Sequence, residues 1–273
     1  MSLSFLYCTD LHGKEGHYSA LLTLAQRLGV YLIHLGADIL PKGRGNLVQT
    51  QRDFVENGLR AFHMACRMSG IKVFSFFGND DVYALKDLYK TYAPLLDEFT
   101  EKVSKYEFKA YGYVPDYPFP LKTACKIDHP GWVRPECDRG TDVDSKGNIT
   151  RIANIDKYLA AKGTIQEDLA NIRGTRNLVM ATHTPPNGLG LDAAGNPPRY
   201  VGSQAVREWI ELENPLLVLS GHIHESPRIT GIWRATVGNT VIVQPGQEED
   251  RLVAVFVELN GEKIRVERHT VKV

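Results

Sequence analysis

The chain has 273 residues, 43% of them hydrophobic and 23% charged, and its Lys plus Arg and Asp plus Glu both total 32. A zero formal net charge without a long basic run argues against a nucleic-acid partner, whose phosphates call for basic surface. Its N-terminus lacks the charged and long apolar regions of a signal peptide, and no apolar run reaches the length of a membrane span; a cytoplasmic protein is expected.

Leu3–Thr9 is a short apolar run that reads as a strand, and Gly13–Leu28 places Leu21, Leu22, Leu24, Ala25 and Leu28 at helical spacing. Cys8, in that first strand, and Cys66, Cys125 and Cys137 show no C-x-x-C spacing, which suits reduced thiols. Val30–Leu35 reads as a second strand, Val48–Ser69 as a helix stopped by Gly70, and Lys72–Phe77 as a third strand. This β-α-β-α-β rhythm implies a parallel sheet. About Tyr106–Ile149 is rich in Tyr, Pro and Gly and reads as an ordered, loop-rich excursion, either a rim over a functional site or a surface insertion. Within it, Asp142-Val143-Asp144-Ser145-Lys146-Gly147 has Lys146 where a calcium loop needs an oxygen ligand, so a plain turn is expected. A helix over about Asn154–Arg173, a strand at Asn177–Ala181, a helix at Ser203–Leu212 and a strand at Leu216–Leu219 continue the rhythm. Trp233–Val237, Thr240–Gln244, Leu252–Leu259 and Lys263–His269 alternate like antiparallel strands, joined at Gly238-Asn239 and Asn260-Gly261. A single elaborated α/β domain over 1–273 accommodates all of this.

Five segments that follow apolar runs end in metal-ligand residue types: Asp10-Leu11-His12, Gly36-Ala37-Asp38, Gly78-Asn79-Asp80-Asp81, Thr182-His183-Thr184 and Gly221-His222-Ile223-His224. In open α/β sheets the carboxyl ends of different strands meet at one place, so these side chains can converge. Imidazole mixed with carboxylate and amide oxygen, without thiolate, selects manganese, iron, cobalt, nickel or zinc over calcium or magnesium. Singly each segment is weak, because an isolated His at a strand end is more often a hydrogen-bonded structural residue. Together and in order they are not. His222 and His224 flank one residue and can address two different centres, with Gly221 letting the backbone turn. Glu225, next in line, either orients a ligand imidazole or is solvated. His34 on a strand and His63 on a helix read as structural.

These motifs resemble those of the calcineurin-like metallophosphoesterase superfamily over nearly the whole chain. The turns His183-Thr184-Pro185-Pro186 and Pro245-Gly246 are similar to those of its smaller bacterial and archaeal phosphoesterases. The resemblance implies a four-layer α-β-β-α sandwich and two divalent transition-metal ions. Asp10, His12 and His224 would hold one ion, Asn79, His183 and His222 the other, and Asp38 would bridge them. It implies metal-assisted hydrolysis of a small phosphomonoester or phosphodiester substrate, for which the residual positive charge of such a centre is suited. Two departures stand out. Ala37 separates Gly36 from Asp38, and Asp80 occupies the place where the family usually has a His that contacts phosphate and protonates the leaving group. A carboxylate held ionised by nearby cations is a poor acid, so the catalytic role of Asp80 is open and His129, in the excursion, is another candidate. The alternatives are a metal-binding scaffold of the same fold with little or no activity, and a nuclease. Retention of all seven inferred ligands favours the enzyme.

Overall fold

The computed structural model describes residues 2–43, 45–97, 99–117, 119–135, 137 and 139–273. β1 (Leu3–Cys8) is an apolar, almost wholly buried strand followed by α1 (Glu15–Leu28), which turns Leu21, Leu24 and Ala25 inward and ends at Gly29 in the left-handed region. β2 (Leu32–Leu35) lies parallel to β1. α2 (Leu47–Phe54) starts at Asn46, whose side chain accepts from the Gln49 N–H, and runs through a π turn at Val55–Leu59 into α3 (Arg60–Met68). The helix expected over Val48–Ser69 is thus continuous but widened at one point. β3 (Lys72–Phe74), α4 (Lys86–Lys90), β4 (Glu101–Val103) and β5 (Tyr106–Tyr111) follow.

Next come two short strand pairs and two short helices: β6 (Val114–Pro115) with β7 (Cys125–Lys126), β8 (Thr141–Val143) with β9 (Ile149–Arg151), then α5 (Ile155–Ala160) and α6 (Ile165–Leu169). The single helix expected over Asn154–Arg173 is two, broken at Gly163, with Thr164 and Glu167 forming a capping box for the second. The chain ends with β10 (Leu178–Thr182), β11 (Ala193–Ala194), β12 (Arg199–Tyr200), α7 (Gln204–Glu213), β13 (Leu217–Ser220), α8 (Ser226–Thr230), β14 (Arg234–Val237), β15 (Thr240–Val243), β16 (Arg251–Asn260) and β17 (Lys263–Lys272).

Two main sheets result, in the orders β17-β16-β1-β2-β3 and β14-β15-β13-β10-β5-β4. The first three strands are parallel, as their rhythm implies, but β10 and β13 build the second sheet instead of extending the first. The antiparallel tail is divided as well: β14 and β15 edge the second sheet, β16 and β17 the first. β5 is the largest departure from the sequence reading. It lies at the head of the Tyr/Pro/Gly-rich excursion, yet its YEFKAY run pairs in parallel with β10 and buries Tyr106, Phe108 and Ala110. The alternating aromatic pattern of a strand outweighs the loop composition that follows it.

Phe5, Tyr7 and Phe74 from one sheet pack against Phe108, Val179, Leu217 and Val243 from the other. α1 and α3 cover the outer face of the first sheet through Leu21, Leu24 and Phe62. α6 and α7 cover the second through Leu169, Val206 and Trp209. These are the four α-β-β-α layers. His34 sits between the sheets against Tyr7, Phe74, Phe76 and Phe108, and burial pushes its imidazole down to about 3, so it is neutral and structural. His63 is also structural, bonded to the Tyr89 hydroxyl at 2.9 Å. Cys8, Cys66, Cys125 and Cys137 are free. Among the described residues, no helix is long and apolar enough to cross a membrane.

Candidate metal centre

Every ligand candidate leaves the carboxyl end of a buried strand. Asp10 and His12 follow β1, Asp38 follows β2, and Asn79 comes after β3, all in one sheet; His183 follows β10, and His222 and His224 follow β13 in the other. The centre therefore straddles the seam between the sheets. Past the strand ends the first two loops stay zipped: the N–H groups of Asp10, His12 and Gly13 donate to the carbonyls of Ala37, Asp38 and Ile39 at 3.0, 2.9 and 3.0 Å. Ala37, the extra residue in the second motif, is a rung of that zipper. Its insertion leaves Asp38 directed into the centre.

Local strain concentrates here. Among the described residues, six non-glycines have positive φ, and four of them are Asp10 (58°), His12 (44°), Asp38 (53°) and His222 (69°). Each such residue costs about 1–3 kcal/mol and persists only where its surroundings enforce it. The sequence assigns the last turn to Gly221, but the left-handed residue is His222. Gly221 is needed for space: a Cβ there would lie 2.3 Å from Thr9 Oγ1 and 2.5 Å from Asp10 Oδ2. Gly78 is similar, with Asp38 Oδ1 2.3 Å from where its Cβ would be.

Three groups of donors form among the described residues. The ligand atoms of Asp10, His12 and His224 lie within 4.8 Å of one another, and so do those of Asp38, His183 and His222 and those of His12, Asp38 and Asp80. Asp38 Oδ2 stands between the first two groups, 4.0 Å from His12 Nε2 and 3.3 Å from His183 Nε2. Asn79 Oδ1 is 2.8 Å from His183 Nε2. All seven ligand candidates thus converge, and the carboxylates are pre-set. Asp10 accepts from the His222 N–H and the Thr9 hydroxyl, and Asp38 Oδ1 from the Asp80 N–H at 2.9 Å.

The electrostatics fit bound cations. His12 Nε2 and His224 Nε2 face each other at 3.1 Å, a contact that requires a proton or a cation between the two lone pairs. Burial raises the Asp10 carboxyl, but His224 and His183 hold it down to about 2; burial likewise opposes Asp38, which His183 and His12 bring far below the carboxylate range. On the other side, burial disfavours charge on His183, yet Asp38 and Asp10 push it up to about 9. Buried carboxylates are drawing positive charge onto their neighbours. Divalent cations held by these nitrogen and oxygen donors would meet the same demand, while His12 and His222, pushed down to about 3 by burial, are already neutral as ligands must be.

Asp80 lies at the edge of the centre, its Oδ2 3.9 Å from His12 Nδ1 and 3.4 Å from Lys42 Nζ. Without cations, burial and then Asp38 push it up to about 6, against Lys42; bound cations, the condition of the sequence reading, would act in the opposite direction. Asp81 is turned away and accepts from the N–H groups of Gly78, Ile39 and Leu40, so it braces the second and third loops. Glu225 accepts from the Gly195 N–H at 3.1 Å instead of orienting a ligand imidazole. His129 bonds the Pro130 carbonyl. Gln51 is a residue that the motif pattern does not single out: buried, it donates to the carbonyls of Pro41 and Asp80 and accepts from the Val82 N–H, tying the loops from beneath. The signal for it lies in the helix period, because Gln51 occupies the inward stripe Val48, Gln51, Val55.

A cleft of about 630 Å³ opens beside His222. The excursion forms one wall through Tyr117 and Phe119, whose ring stands edge-on to that of His222 with centroids 5.8 Å apart. The β11–β12 hairpin forms the other through Pro197, Arg199 and Tyr200. The segment bearing Tyr117 and Phe119 is closed by an ion pair between Asp116 and Lys122 at 2.6 Å, both side chains fully buried. Lys122 Nζ also donates to the Tyr117 carbonyl and lies 5.2 Å from the Phe119 ring centroid. Asp128, further along, accepts from the Ser203 hydroxyl and the Gln204 N–H at the start of α7, and the Ser203 N–H bonds the Pro185 carbonyl in the fourth loop.

The family model described as calcineurin-like phosphoesterase matches residues 3–226. No curated protein matches the chain. Among solved structures, TT1561 of Thermus thermophilus is similar with a TM-score of 0.54 and 17% identity, over 98% of this chain and 99% of that one. A dimetal phosphatase from Danio rerio is similar at 0.51 and 11% identity, over 99% and 98%. GAP50, described as the anchor in the inner membrane complex of Plasmodium, is similar at 0.51 and 11%, over 100% and 89%. At such identities these likenesses speak for the fold alone.

Proposed function

The chain belongs to the calcineurin-like phosphoesterase family, and we propose that it is a dinuclear metal-dependent hydrolase of a small phosphomonoester or phosphodiester. One observation supports this above others: two donor groups, Asp10/His12/His224 and Asp38/His183/His222, lie side by side, with Asp38 Oδ2 4.0 Å from His12 Nε2 and 3.3 Å from His183 Nε2. In this reading Asp10, His12 and His224 hold one cation, Asn79, His183 and His222 the other, and Asp38 bridges; manganese is the first ion to supply, within the set that also includes iron, cobalt, nickel and zinc. Two such cations, when bound, supply Lewis-acid polarisation of the phosphate and activation of water for an in-line displacement. The protein's own part is to place them. The zipped first and second loops, the Gln51 and Asp81 braces and the close-packed glycines hold the donors in register. Asp80 and Lys42 stand together at the edge of the donor cluster, 3.4 Å apart.

A non-catalytic scaffold is the second reading, favoured by Asp80 at the usual histidine position. Metal analysis of the purified chain, with a panel of aryl and alkyl phosphomonoesters and diesters in added manganese, separates the two. The hydrolase reading expects about two ions per chain and turnover, with both lost in Asp38→Asn. A fully metal-loaded protein that hydrolyses nothing in the panel would establish the scaffold reading.

A further inference from the structure

We propose that the cleft beside His222 receives the alcohol part of the phosphoester and selects for a flat aromatic ring in it, an inference that rests on the phosphoesterase reading of the centre. The cleft is continuous with the centre, because His222 and Ile223 are themselves part of its wall. A phosphate at the donor cluster therefore has its ester substituent directed toward this space or toward open solvent. The volume of about 630 Å³ falls within the range of about 300–1,000 Å³ in which small-molecule sites are found.

The lining specifies the guest. Three aromatic rings, Tyr117, Phe119 and Tyr200, belong to it, with Pro135, Pro197 and Val201. Aromatic and proline surfaces favour flat apolar rings, which gain by stacking or edge contacts. The charged side chains among the described lining residues are Arg199 and Glu225, of opposite sign. That balance suits a neutral ring and not a second phosphate or a polyanionic chain. The walls are also built in advance. Phe119 is backed by Lys122, Tyr117 meets Trp132 with ring centroids 6.1 Å apart, and the Asp116–Lys122 pair closes the segment between them. Tyr200, by contrast, is 64% exposed on the hairpin wall, a large aromatic side chain whose face is open to a guest.

A flat ring on a phosphoester can come from an aryl-bearing alcohol or from a nucleoside, and matched pairs distinguish them. Benzyl phosphate against methyl phosphate, and adenosine 5′-phosphate against ribose 5-phosphate, each vary the ring while keeping an alkyl leaving group. Benzylphosphonate and methylphosphonate give the same comparison by calorimetric binding to the metal-loaded protein, independent of turnover. The expected result is a preference of about tenfold or more for the ring-bearing member of at least one pair, which identifies the source. In Phe119→Ala and in Tyr200→Ala the preference should shrink toward parity with metal content unchanged; the second variant, at an exposed position, guards against misfolding. Equal treatment of ring-bearing and ring-free members in the unmodified protein, or a preference that survives both substitutions, overturns the proposal. Hydrolysis without ring preference would leave the phosphoesterase reading intact. Phosphonate preference without any hydrolysis would do the reverse, sparing the cleft and removing the activity.

Discussion

Asp80 is the residue that tests the proposed chemistry most directly. It is bonded to its neighbours through Asn79 Nδ2 and through its own N–H to Asp38, so it shapes the bridge as well as facing Lys42. If Asp80 positions Asp38 and does not protonate the leaving group, Asp80→Ala should reduce turnover of aryl and alkyl esters by similar factors. Loss confined to alkyl esters, whose departure needs a proton, would show that Asp80 is the acid. Gly78 tests the steric part of the design. In Gly78→Ala the new methyl group meets Asp38, and metal affinity should fall by about 10–100-fold, read by calorimetry, as for changes beside a ligand generally. The candidate donors were legible in the sequence because Asp, His and Asn follow strand-like runs. The need for Gly78 and Gly221 was legible only as punctuation; its cause, an approach of two loops distant in the chain, exists only after folding.

The short segments explain how the cleft is held. Asp116 and Lys122 form a fully buried ion pair, and Tyr117 and Phe119, which wall the cleft, lie between them in the sequence. Removing Lys122 leaves the buried Asp116 carboxylate with only the more distant Arg134 guanidinium, 3.9 Å away. Lys122→Met should lower stability by about 3–5 kcal/mol in chemical denaturation, and pairing it with Asp116→Leu should restore most of the loss. A single variant as stable as the parent would mean that the pair is not the closure it resembles. Nothing in the sequence announces this element: two opposite charges around a Tyr-Pro-Phe-Pro run look like surface loop, and only the folded chain shows both ends buried. β5 and the break at Gly163 differ, because the alternating YEFKAY run and the Gly163-Thr164-x-x-Glu167 spacing did carry signals, masked by the segments around them. Local pattern predicts what a segment can be, whereas partners from elsewhere decide which option is taken.

Across the whole molecule, the sequence conveyed the alternation of strands and helices but not its division between two sheets, because β10 and β13 have the same apolar signature whichever sheet they join. The seam between the sheets is where the centre lies, so cations bound there would fasten the two halves. Addition of manganese to chelator-treated protein should raise the thermal midpoint by about 5–10 °C at a hundredfold excess over the dissociation constant, and Asp38→Asn should abolish the shift. An unchanged midpoint with the metal bound would mean that the unfolded chain binds the ion equally well and that the folded seam adds nothing to its capture. The left-handed backbone at Asp10, His12, Asp38 and His222 bears on how this protein can change. Glycine or asparagine at those positions relieves strain, so a search for hardier variants, by directed selection or by consensus, will tend to accept substitutions that erase the donors. For this scaffold, robustness and activity are competing targets, and any programme to toughen it should screen for retained metal at every round.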